Sequence, residues 1–159
     1  MYVDHNSLSE QARIWVYPSS RKFYPQEITA LETKLKNFIE SWKEEDTAFE
    51  ASYQLLHQRF VVFYADETTQ LTNADVDVLV GFVLQLQQAY EIELLDRMNV
   101  CFKQGEFIQY KEVKEFRKLL KSKSVNSKTI VFNNLIQTKE ELENFWEVPI
   151  TESWYSRFL

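Results

Sequence analysis

Charged side chains that could bind a polar ligand lie at the ends of several predicted strands. They are Arg21, Asp66, Glu67, Asp96 and Arg97. An arginine holds a carboxylate or a phosphate through its forked guanidinium, and carboxylates accept hydrogen bonds from hydroxyls or amines. If these strand ends share one edge of a sheet, the five side chains form a binding site for a small polar molecule. One interpretation of the chain is therefore an enzyme that acts on such a substrate.

The same charges also have a purely structural interpretation. Arg97 would form an ion pair with Asp66 or Asp96 and fix the loops, since structural ion pairs produce the same pattern as ligand sites. The pattern favours this structural role and leaves ligand binding as the alternative.

Other groups that could carry chemistry are few. Cys101 is the one cysteine, so it cannot form an internal disulfide or a multi-thiolate zinc site. The two histidines, His5 and His57, are too far apart for an HExxH ligand pair, and no serine lies in a GxSxG turn. The sequence therefore predicts no catalytic residue, no metal site and no cofactor.

Composition limits the class of protein. The chain has 159 residues, of which 45% are hydrophobic, and this is enough for the core of one domain. Its formal charge of −6 argues against nucleic-acid binding over the whole surface. A run of basic residues at 111–128 predicts the solvated face of a helix, with an RNA or DNA contact as the alternative. Its cationic side chains are Lys111, Lys114, Arg117, Lys118, Lys121, Lys123 and Lys128.

Targeting signals are not evident in the sequence. The first residues show no basic region followed by an apolar run, so no signal peptide is predicted. The longest nearly apolar stretch, Val76 to Leu86, is far shorter than the ~20 residues that a membrane-spanning helix needs. We therefore expect a cytoplasmic protein without membrane insertion.

Apolar spacing predicts the order β-α-β-β-α-β in the first part of the chain. Pro25 suits the first turn of a helix, and apolar residues recur at helical spacing up to Trp42. Residues 59–65 form a nearly unbroken apolar run, which is typical of a central strand. The order is that of a ferredoxin-like α+β fold, an antiparallel sheet with two helices on one face. We expect a single domain over 1–159, with this core at 1–103 and a C-terminal β-α extension at 104–159.

Two regions are candidates for an interaction surface. On the second predicted helix, Val78 and Phe82 lie outside the core stripe, so this helix must be covered on a second side. The third helix and the tail could cover it, or a second subunit could, and the sequence leaves both open. In the tail, Trp146, Trp154 and Arg157 are typical of a partner surface, although packing within the chain is the favoured interpretation.

Several segments together resemble a known family. They are the residues RIWVY at 13–17, LLDRMNV at 94–100, TIVFNNL at 129–135, WEVP at 146–149 and ESWYSRF at 152–158. They are similar to a family of small uncharacterised bacterial proteins that is often labelled "ABC transporter ATPase", and the similarity spans essentially the whole chain. The resemblance brings no established activity, substrate or cofactor with it.

The family label can be tested on physical grounds. An ATP-binding cassette needs a GxxxxGK[ST] loop, whose backbone amides wrap the phosphates. The only glycines are Gly81 and Gly105, and lysine follows neither, so ATP hydrolysis of this type is excluded. The family often carries Ser-Gly-Cys-Ser-x-Asp before the second helix, whereas this chain has TNADVD at 72–77, where only the final aspartate matches. We expect a non-catalytic binding or protein-interaction module, either a homodimer or bound to another protein.

Overall fold

Two antiparallel sheets and four α-helices make up the described part of the chain, residues 1–96 and 98–159, in a computed structural model. The helices are α1 (Pro25–Ser41), α2 (Asn73–Tyr90), α3 (Val113–Lys121) and α4 (Lys139–Phe145). The strands are β1 (Arg13–Pro18), β2 (Ala51–Leu56), β3 (Phe60–Ala65), β4 (Val100–Gln104), β5 (Phe107–Lys111), β6 (Ile130–Phe132) and β7 (Glu147–Pro149). Short 3₁₀ helices lie at His5–Ser7, Ile150–Glu152 and Trp154–Phe158.

The first sheet has the strand order β1-β3-β2, and the second has the order β5-β4-β6-β7. All six residues of β3 are buried, which confirms the central strand predicted from its apolar run. Their side chains alternate between the two faces of the sheet. Val61, Phe63 and Ala65 face one apolar cluster, while Phe60, Val62 and Tyr64 face another. The α+β class predicted from the sequence is therefore confirmed.

The ferredoxin-like arrangement is not confirmed, because β4 belongs to the second sheet. A ferredoxin-like fold would pair β4 with the free edge of β1. In the described residues this edge is taken by the segment before α4, where the Ile14 amide donates to the Gln137 carbonyl at 3.0 Å and Arg13 bridges Thr138. β4 pairs with β5 and β6 instead. The expected boundary at residue 103 thus falls within a strand, and residues 104–159 supply most of the second sheet.

The elements stack in four layers. Helices α1 and α2 cover the outer face of the first sheet, where Leu35 and Leu79 are fully buried. The inner faces of the two sheets share a cluster that includes Val62, Phe132 and Trp146. Helix α3 covers the outer face of the second sheet through Phe116.

Local sequence explains where the two long helices begin. Pro25 occupies the first turn of α1, as predicted, and the Glu27 carboxylate accepts a hydrogen bond from the Tyr24 amide at 2.7 Å. Helix α2 starts after Thr72, whose hydroxyl accepts from the Asp75 amide at 3.2 Å while Asp75 accepts from the Thr72 amide at 2.8 Å. The N-cap of α2 is thus Thr72. Every helix of the described residues is too short or too polar to cross a lipid bilayer.

Candidate functional site

The strand-end charges predicted to form one site lie at two ends of the first sheet. β1 and β3 are antiparallel, with Arg13 opposite Ala65 and Pro18 opposite Phe60. Arg21 follows the end of β1 and Asp66 follows the end of β3, so they are separated by more than the ~16 Å that five residues span along a strand. The expectation that these two strand ends meet at one edge is therefore wrong, because antiparallel neighbours end at opposite edges.

Arg21, Asp66 and Glu67 each have local partners. The Arg21 guanidinium donates to both carboxylate oxygens of Glu27 at 2.9 and 3.2 Å and to the Tyr90 carbonyl at 3.0 Å. The hydrogen bonds from Arg21 lower the pKa of Glu27. Asp66 accepts from the amide and the hydroxyl of Thr68, and Glu67 accepts from the Ser9 hydroxyl at 2.7 Å. These hydrogen bonds fix the loops that carry Arg21, Asp66 and Glu67.

Of the remaining predicted site residues, Asp96 accepts a hydrogen bond from the Met98 amide at 3.0 Å. Arg97, with its predicted ion pairs to Asp66 or Asp96, lies outside the described residues. A ligand-binding role for the five charged residues therefore stays a prediction, without the shared edge on which it was based.

Trp146 is not part of an exposed surface. Only 4% of it is exposed, and its indole N–H donates to the Asn134 side-chain oxygen at 2.9 Å. Its ring centre lies 4.9 Å from those of Phe60 and Phe132, between the two sheets. The interaction-surface prediction was wrong for this residue, and the packing interpretation was correct, because the ring fills the space between the two inner faces.

Trp154 and Arg157 remain on the surface of the tail. Trp154 is 44% exposed, and the Arg157 guanidinium lies 4.1 Å from its ring centre in a cation–π contact. Arg157 also donates to the Trp154 carbonyl at 3.2 Å. Trp154 and Arg157 thus contact each other within the tail.

A groove lined by both apolar and polar side chains runs between α1 and α2. The two helices lie antiparallel, since the Trp42 indole at the end of α1 donates to the Asp75 carbonyl at the start of α2. The groove has a volume of about 650 Å³. At its floor, the rings of Phe38 and Phe82 stack at 4.3 Å between centres, while Val78 on the rim is 54% exposed. We call the α2 side of this groove, Val78, Gly81, Phe82, Gln85 and Ala89, the α2 face.

Within the described residues no other element covers the exposed members of the α2 face, whereas Phe82 is partly buried against Phe38. Helix α3 packs on the second sheet through Phe116, and Tyr155 of the tail packs on the same cluster. The first of the two alternatives left open by the sequence, cover by the third helix and the tail, is thereby removed. Gly81 adds a further observation, since a Cβ at this position would meet nothing within 4 Å. A helical glycine costs about 1 kcal/mol relative to alanine, and no contact among the described residues requires glycine at position 81.

A second cavity, of about 410 Å³, lies beside the β2–β3 turn. We call it the turn cavity, and it is lined by Lys22, His57, Gln58, Arg59, Glu106, Phe107 and Ile108. Arg59 is held between two elements, since it donates to the Ile108 carbonyl of β5 at 2.5 Å and to the Ser20 carbonyl after β1 at 3.3 Å. Both carbonyls orient the guanidinium without neutralising its charge.

Arg59 is partly buried and has no carboxylate partner among the described residues. Its Nε is buried and has no hydrogen-bond acceptor in residues 1–96 and 98–159. Burial is the main cause of a lowered pKa for Arg59, because a charge removed from water loses hydration. Burying a charge costs free energy unless an opposite charge lies nearby. Among the described residues the Arg59 guanidinium has no such counter-ion.

The turn that forms one wall of the turn cavity is strained. His57 and Gln58 both adopt left-handed backbone conformations, with φ of 53° and 54°. The Arg59 amide donates to the Leu56 carbonyl at 3.0 Å, which closes a two-residue hairpin loop. Such loops prefer Asn-Gly, because both central residues have positive φ, and other side chains are disfavoured there.

Replacing Gln58 with glycine is expected to raise the free energy of unfolding by about 0.5–1 kcal/mol, because glycine removes the strain at positive φ. Urea denaturation of the wild-type protein and the variant measures this change. Gln70→Gly is the matched control, because Gln70 is an exposed loop residue that is not among those with positive φ, and it should not stabilise the protein. A lower stability for Gln58→Gly would contradict the assignment of strain.

The remaining reactive group, Cys101, is buried between the two sheets. Burial raises the pKa of its thiol to about 12, so the thiol stays protonated and unreactive at neutral pH. Within residues 1–96 and 98–159, no three His, Cys, Asp or Glu side chains lie close enough together to hold a metal ion.

Sequence reasoning missed the turn cavity. The sequence indicates Arg59 only as the first residue of the apolar run at 59–65, and it indicates no partner for His57. One signal was present: the residues LHQR at 56–59 join two apolar strands through a loop that contains neither glycine nor asparagine.

Comparison of the chain with protein-family models, with curated proteins and with solved structures finds no match. The resemblance noted from the sequence therefore stays a prediction.

Proposed function

We propose that this protein is a cytoplasmic, non-catalytic interaction module that pairs with a second copy of itself through the α2 face. The observation that carries the proposal is the uncovered, uncharged character of that face, in which Val78 is 54% exposed. Exposed apolar helix faces are typical of protein–protein contacts.

A second copy suits this surface because of its charge pattern. In a two-fold dimer the same patch meets itself, so residues near the axis lie close to their own counterparts. Charged residues there would repel one another. The five members of the α2 face are all uncharged, and Gly81 at its centre allows two helices to approach closely.

The test is the oligomeric state measured by sedimentation equilibrium. We expect the wild-type protein to dimerise and Val78→Glu to weaken the dimer at least tenfold, because the contact would have to remove water from a charged carboxylate. Leu84→Glu is the matched control: Leu84 is 41% exposed on the same helix but lies outside the groove, so this variant should dimerise like the wild type.

Two results would overturn the proposal. One is a wild-type protein that stays monomeric at all accessible concentrations. The other is a Val78→Glu variant that dimerises as well as Leu84→Glu. Circular dichroism of both variants verifies that each keeps its helices.

A further inference from the structure

The turn cavity has an excess of positive charge. Two of its lining residues, Lys22 and Arg59, are cationic, and one, Glu106, is acidic. Among the described residues neither cation forms an ion pair, although the chain as a whole carries a net charge of −6. Unpaired cations in a cavity of an acidic protein point to an anionic ligand.

The guanidinium of Arg59 is already fixed in place. Two of its five N–H groups are used by the Ile108 and Ser20 carbonyls, which belong to different parts of the chain. The side chain therefore loses little further freedom when a ligand binds, and this preorganisation favours affinity. The flexible ammonium of Lys22 on the same cavity can supply a second positive contact.

One wall of the turn cavity is an exposed aromatic ring. Phe107 is 71% exposed at the start of β5, just after the turn at Gly105. A phenyl group left in water on a cavity wall is unfavourable, and a flat apolar group stacked on it would remove that area from solvent. The volume of about 410 Å³ lies in the range of small-molecule sites.

We propose that the turn cavity binds a small aromatic oxyanion, whose carboxylate or phosphate lies at Arg59 and Lys22 and whose ring lies against Phe107. The proposal is independent of the α2 face, which lies on a different element and shares no residue with the turn cavity. The strained residues His57 and Gln58 also line the turn cavity.

Binding is tested by titrating the ¹⁵N-labelled protein with defined probes and following the amide resonances of residues 56–59 and 106–108. The probes are benzoate, phenyl phosphate, the neutral isostere benzamide, and acetate. We expect saturable shifts with benzoate or phenyl phosphate, and at least tenfold weaker binding of benzamide, which lacks the charge, and of acetate, which lacks the ring. The comparison of benzoate with phenyl phosphate identifies the preferred oxyanion. Shifts with neither anion, or equal affinity for benzamide, would refute the proposal.

Variants of exposed residues locate the site without disturbing the fold. Lys22→Gln and Phe107→Ala should each weaken binding of the preferred anion at least fivefold. Lys128→Gln, which removes an exposed lysine remote from the turn cavity in sequence and absent from its lining, should leave the affinity unchanged. If all three variants bind like the wild-type protein, the anion binds elsewhere and the proposal fails.

Discussion

Replacing Trp146 with alanine is expected to lower the free energy of unfolding by about 3–5 kcal/mol. The indole is buried between the two sheets, where it contacts Phe60 and Phe132, so its removal leaves a cavity in the core. The Asn134 side chain, which is also buried, would in addition lose the indole N–H that it accepts. Urea denaturation followed by circular dichroism measures the loss.

Trp154→Ala is the matched control for this prediction, because both tryptophans lie in the C-terminal tail and only one is buried. Trp154 is 44% exposed and packs against Arg157, so we expect a change of about 1 kcal/mol or less. Equal losses for the two variants would show that Trp146 does not occupy the space between the sheets.

Raising the pH from about 9 to 11 is expected to remove roughly 4–5 kcal/mol of stability. Burial raises the pKa of Cys101 and of Tyr155, each to about 12, and it also raises the pKa of Tyr64. Below the ordinary pKa values of these groups, both the folded and the unfolded chain hold the protons. Above them, the unfolded chain releases protons that the folded chain still holds, so unfolding becomes easier as pH rises.

The thiol and the phenols act over different ranges of pH. An unfolded cysteine titrates near pH 8.5 and a tyrosine near 10, so between pH 9 and 10 the loss comes mainly from Cys101, at roughly 1 kcal/mol per pH unit. Cys101→Ala should therefore flatten the pH dependence of unfolding in that interval, whatever its effect on stability at pH 7. The prediction fails if urea denaturation gives the same slope for the variant and for the wild-type protein.

Features that depend on neighbouring residues in the chain could be predicted from the sequence. Pro25 and the apolar spacing up to Trp42 predicted α1, since a helix buries the side chains that recur along one face. The apolar run at 59–65 predicted a central strand, because a strand that is covered on both faces favours apolar residues throughout.

The pairing of β4 could not be predicted in the same way. Both possible neighbours offer the same backbone donors and acceptors, and the choice depends on which edge is already occupied. The edge of β1 is occupied by Gln137, a residue far along the chain with no apolar pattern of its own. Strand order is therefore a property of the whole chain.

The turn cavity depends on long-range contacts for the same reason. A sequence shows that Arg59 is cationic, but the absence of a carboxylate partner and the contacts to the Ser20 and Ile108 carbonyls follow from tertiary structure. The predicted strand-end site was wrong for a different reason. β1 and β3 run in opposite directions, so their carboxyl ends lie at opposite edges of the sheet.

The order of the two sheets along the chain has a consequence for synthesis on the ribosome. The first sheet and its two covering helices are complete by Tyr90, whereas every strand of the second sheet is translated later. Until then, one side of the emerging structure presents Ile14, Val16 and Val62 to water. The nascent protein thus passes through a stage with an exposed hydrophobic surface. At this stage chaperone binding or aggregation competes with completion of the fold.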